Sequence, residues 1–78
     1  MNMNSIGALK KMVVKPERWV LLRQGGDGWS VCFDWGGSQR ELVPLRKARD
    51  GLRVYKSSDA ALADIMAVDR SARVSVQF

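Results

Sequence analysis

The run WSVCFDW, residues 29 to 35, alternates large apolar side chains with small or polar ones. Alternation at a period of two marks a strand with one buried face. Trp29, Val31, Phe33 and Trp35 are therefore expected to form the main core stripe, with Ser30, Cys32 and Asp34 on the opposite face. The run before it, ERWVLLRQ, is also rich in β-branched, aromatic and aliphatic residues, and GGDG joins the two. Glycines reach the positive φ that a tight turn needs, so the pair reads as a β-hairpin turning at Gly25 to Gly28. Its first strand is apolar on both sides, with Trp19 and Leu21 on one face and Val20 and Leu22 on the other. The second face then needs cover, from the segment Ile6 to Val13, from a partner subunit or from a ligand.

The other elements follow from shorter signals. Ile6, Leu9, Met12 and Val13 recur at near-helical spacing before Pro16, so residues 1–16 read as an amino-terminal arm, frayed or folded as a short helix. The core is expected to begin near Glu17, in a single domain over 17–78. RELVPL makes a third strand that Pro44 confines to a sheet edge, because proline has no N–H for a ladder. LRVYK is a fourth, with Leu52, Val54 and Lys56 on one face and Arg53 and Tyr55 on the other. SSDAALADIMAVD is a helix, capped by Ser57 or Ser58, with Asp59 on the positive end of its dipole and Ala61, Leu62, Ile65 and Met66 as its apolar stripe. ARVSVQF is a last strand, turning Val74, Val76 and Phe78 inward. The expected fold class is α+β: five strands in a mainly antiparallel sheet, in the order strand, strand, strand, strand, helix, strand, with the helix on one face. That helix is a possible crossover, which would make the strands either side of it parallel if they were neighbours.

Composition narrows the chemistry. A chain of 78 residues is near the lower end of what buries a self-sufficient core, so pairing with a second copy would help it, and a homodimer is expected. One cysteine excludes an internal disulfide, and the absence of histidine removes the commonest metal ligand and general base. Cys32 reads as a packed strand residue. Neither GxGxxG nor GxxxxGK[ST] occurs, so GGDG is a hairpin turn rather than a phosphate loop. The carboxylates Glu17, Asp27, Asp34, Glu41 and Asp50 form no recognisable acid and base pair. A non-catalytic protein with no metal and no cofactor is expected. With no long apolar run and no ordered leader at its start, the chain is expected in the cytoplasm.

Thirteen basic residues against eight acidic ones give a net charge of +5, which suits an anionic partner. The excess is local. RKARDGLRVYK, residues 46 to 56, holds five bases in eleven positions, whereas the helix after it exposes Asp59, Asp64 and Asp69. A helix that reads a DNA groove carries Arg, Lys, Asn or Gln, so strands and loops would have to do the binding. Arg46, Lys47, Arg49, Arg53 and Lys56 are the candidate nucleic-acid-binding residues, with Arg40 beside them and Arg18 and Arg23 as further contributors from the first hairpin. Phosphate contacts of this kind give affinity without sequence information. Tyr55, Trp19 or Trp35, if exposed, would add base stacking. The rival reading makes the basic run a solubility device, or a guard on a sheet edge, in a protein-interaction module that pairs by strand addition as a homodimer, inhibitor or adaptor.

GWSVCFDW, ELVPL and RVYKSSDAALADI together resemble a type of small uncharacterised accessory protein of bacterial plasmids and integrating elements, some of them described as partition-associated. The resemblance covers residues 27 to 65 and implies a role in maintenance or regulation of a mobile element, acting on nucleic acid or a nucleoprotein partner. It brings no catalytic residues.

Overall fold

A computed structural model describes residues 4–23, 26, 28–36, 41–47 and 51–77. The described residues form one five-stranded sheet and two helices: α1 (Ile6–Lys11), β1 (Arg18–Arg23), β2 (Trp29–Asp34), β3 (Val43–Pro44), β4 (Val54–Tyr55), α2 (Ser58–Val68) and β5 (Val74–Gln77). The α+β class expected from the sequence is the one observed. The β1–β2 hairpin is the sheet's backbone, antiparallel over its whole length from Arg18 opposite Asp34 to Arg23 opposite Trp29. β3 and β4 both pair with β2 on its other side, and β5 lies parallel to β1, giving the order β3-β2-β1-β5 with β4 also on β2. α2 is thus a crossover from one edge of the sheet to the other, and β4 and β5 are not neighbours.

Both helices cover the same face. Trp19, Leu21, Trp29, Val31 and Phe33 point to it and meet Ala61, Ile65 and Val68 of α2, Leu9 of α1, and Leu45 and Tyr55 from the edge. Leu9 is 0% exposed, so the core begins ahead of Glu17, where the sequence suggested it would start. Ser5 caps α1 by accepting from the Ala8 N–H at 3.2 Å, and Lys15 Nζ donates to the Leu9 and Lys10 carbonyls at its other end. A six-residue helix would not persist alone; its ends are satisfied and its one fully buried residue anchors it. On the second face Val20 is 1% exposed between Cys32 and Ser75, and Arg18 pairs with the buried Asp34 at 3.1 Å. α1 does not supply the cover proposed for that face.

Three apolar expectations are corrected. Trp35 is 39% exposed, because β2 stops at Asp34. Asp34 accepts from the Gly36 N–H at 2.8 Å, Gly36 takes a φ of +81°, and the turn carries Trp35 off the sheet to rest edge-on against Phe33. The α2 stripe runs through Ala61, Ile65 and Val68 rather than Leu62 and Met66, an i, i+4, i+7 row that sets the small Ala61 against the strands. Val76 faces the core side but lies at the edge, and 46% of it remains exposed. β3 and β4 are also shorter than RELVPL and LRVYK implied.

Replacing Leu9 by Ala removes a fully buried side chain that joins α1 to the rest of the core. We expect it to lower unfolding stability by about 2–5 kcal/mol in chemical denaturation. An unchanged midpoint would show that the arm contributes nothing.

Candidate functional site

The site is built at the outer edge of β2. Val43 and Pro44 pair with Phe33 and Cys32, and the Leu45 N–H donates to the Val31 carbonyl at 2.8 Å. Val54 and Tyr55 then take the next two places along β2, opposite Ser30 and Trp29. β3 and β4 therefore lie along one edge of β2, with an excursion between them whose described residues are 46–47 and 51–53. Since Leu45 points its N–H toward β2, Pro44 points its nitrogen away, where no donor is needed. The same alternation turns the Arg46 N–H outward, and it donates to the Asn4 carbonyl at 3.0 Å. The excursion folds back on itself through the Arg46 to Leu52 bridge, the Lys47 N–H to Gly51 carbonyl bond at 3.0 Å and the Arg53 N–H to Leu45 carbonyl bond at 3.1 Å. Gly51 has a φ of +82°, the backbone state that side chains disfavour.

Where the excursion leaves the edge, a cleft of about 160 Å³ opens between it, the first turn of α1 and α2. Arg46, Lys47 and Arg53 line one side, Ser5, Ile6 and Gly7 another, and Asp64 of α2 a third. Arg53 lies over the Tyr55 ring at 5.1 Å and reaches Asp64 at 3.8 Å. That distance is long for an ion pair, and both side chains are partly exposed, so it is a weak one. The Asp64 carboxylate has a better partner, the Tyr55 hydroxyl, which donates to it at 2.6 Å. Burial, reinforced by this hydrogen bond, pushes the Tyr55 phenol up to about 12. Arg46 and Lys47 have no ion pair among the described residues.

The structure brings Arg46, Lys47 and Arg53 together at the cleft. Lys56 is exposed past the end of β4 and does not line it. Arg40 and Arg49 lie outside the described residues. Arg18 is engaged with Asp34, and Arg23 stacks over Trp29 at 5.6 Å. Trp19 and Tyr55 are buried, which removes them as base-stacking platforms; a central strand position and the Asp64 hydrogen bond account for this. Sequence reading missed α1 as a wall of the site. Gly7 faces the cleft, and residues three and four further on share its side of a helix, so the exposed Lys10 and Lys11 extend the basic surface. The KK pair was visible in the sequence, but nothing local ties it to Arg46.

No protein-family model, no curated protein and no solved structure matches the chain. Its chemistry has to be read from its own residues. Among the described residues no cluster of His, Cys, Asp and Glu could hold a metal ion, and no helix is long and apolar enough to cross a membrane. Cys32 is half-buried, and burial raises its thiol pKa, the direction opposite to that of an activated nucleophile.

Because the folded Tyr55 pKa of about 12 exceeds the ordinary value of 10.0, its contribution to stability is complete below pH 10 and is lost as pH rises toward 12. Denaturation midpoints measured across that range should fall more steeply for the wild type than for Tyr55→Phe. Parallel curves would show that the Tyr55 to Asp64 bond has no weight.

Proposed function

We propose that this chain is a non-catalytic nucleic-acid-binding protein that holds the phosphate backbone through the basic excursion. The carrying observation is that the chain interrupts a pairing edge strand to present Arg46, Lys47 and Arg53 on a closed, hydrogen-bonded excursion. A disordered solubility loop needs no such bracing. Lys10 and Lys11 on one side and Lys56 on the other widen the surface, while Asp59 on α2 marks where it stops. Of the three rings considered for stacking, Trp19 and Tyr55 are turned into the core and Trp35, 39% exposed, stays open to a base, so binding rests mainly on phosphate contacts and is expected to be indifferent to sequence. The resemblance to bacterial mobile-element accessory proteins, partition-associated ones among them, fits such a role in the cytoplasm, on DNA or on a nucleoprotein complex.

A protein-interaction reading has one specific observation in its favour. β5 closes the sheet on the side away from the excursion, among the described residues pairs with β1 alone, and offers Val74–Gln77 with no charge and no proline. Edge strands that must stay single are usually guarded by such residues. We propose that a second copy pairs there, making a homodimer that carries a basic excursion at each end.

Fluorescence anisotropy against duplex and single-stranded DNA at low salt tests the first proposal. Changing Arg46, Lys47, Arg49 and Arg53 together to Ala should abolish binding; undiminished affinity would refute it. For the dimer, light scattering should give twice the chain mass for the wild type and the monomer mass for Val76→Lys. A monomeric wild type at micromolar concentration rejects it.

A further inference from the structure

The excursion does more than present charge, because its cleft has a definite size and a definite set of donors. At about 160 Å³ it holds the volume of roughly five waters at about 30 Å³ each. The cleft is open on one side, so a single phosphoryl group can sit at its base while the rest of a larger ligand lies outside. We infer that the cleft is a seat for one phosphoryl group, held by Arg46, Lys47 and Arg53, with Asp64 as the partner that Arg53 gives up when the group enters. This inference rests on the nucleic-acid reading for the source of that group, a phosphodiester of the bound strand.

The exchange is chemically cheap in this geometry. Arg53 touches Asp64 only at 3.8 Å, and most of its guanidinium donors remain free to make the paired bonds that phosphate oxygens accept. Asp64 keeps the Tyr55 hydroxyl at 2.6 Å when Arg53 turns away, so no carboxylate is left without a donor. The Tyr55 ring under Arg53 holds the guanidinium at the cleft in both positions. Arg46 and Lys47 approach from the excursion with no competing ion pair among the described residues. Asp64 therefore weakens the empty site's pull on anions without blocking it, and its removal strengthens binding.

Amide chemical shifts followed by NMR on the full chain test this with inorganic phosphate, and then with a short oligonucleotide. Phosphate should shift Gly7, Arg46, Lys47 and Arg53 saturably, and the oligonucleotide should displace it from the same amides. Asp64→Asn should tighten phosphate binding severalfold, an outcome that misfolding cannot mimic. Arg53→Gln should weaken it at least severalfold, and Arg70→Ala, which removes an exposed cation outside the cleft, should leave it unchanged. If the oligonucleotide binds in a salt-dependent manner while those four amides stay silent to phosphate, the seat is wrong and the broader reading survives. If phosphate saturates the cleft but no oligonucleotide binds or competes, the seat takes free phosphate and the nucleic-acid source fails. Unchanged phosphate affinity in both Asp64→Asn and Arg53→Gln overturns the exchange.

Discussion

Everything distinctive about this molecule depends on how the outer edge of β2 is paired. An unbroken partner strand would have satisfied it with consecutive residues. Instead Leu45 takes the place opposite Val31 and Val54 the place opposite Ser30, and the described residues between them, 46–47 and 51–53, leave the sheet. A loop expelled in this way would ordinarily be loose. Here the Leu45 carbonyl, the Gly51 carbonyl and the Asn4 carbonyl each take a backbone N–H from it, so the expulsion yields a braced projection. The edge also gains protection, since the outward Arg46 N–H is occupied and Pro44 turns a nitrogen without hydrogen toward the open side.

The one-sided core sets the projection beside both helices. With α1 and α2 stacked on a single face, the start of α1 lands beside the point where the excursion leaves the edge, and Asp64 of α2 reaches the same point. A cleft among three elements is the result. Leu9 thus holds the α1 wall of the cleft against the core. Tyr55 belongs to the core and the cleft at once: its ring fills the core rim while its hydroxyl donates to Asp64 and its face lies under Arg53.

Much of the fold was legible because its signals are periodic and local. The alternation in WSVCFDW, the glycine turn before it and the Ser57 cap of α2 each name an element from a few residues, and Pro44 marks an edge. The parts that sequence did not reveal depend on contacts between distant segments. The tie between Asn4 and Arg46, the parallel pairing of β5 with β1 and the shared register of β3 and β4 leave no periodic trace. Trp35 shows the limit well: it continues the alternation in sequence, but the Asp34 to Gly36 turn takes it out of the strand. Within the candidate site, charge density pointed to Arg46, Lys47 and Arg53, whereas the pairing of Arg53 with Asp64 needed the helix to be placed first.

The central claim is that Arg46 and Lys47 contact phosphates. The dependence of DNA affinity on salt concentration measures this directly, because each phosphate neutralised adds about 0.9 to the slope of log affinity against log salt. The slope for an Arg46→Ala, Lys47→Ala double variant should be shallower than that of the wild type by about 2. Equal slopes for the two proteins would contradict the account.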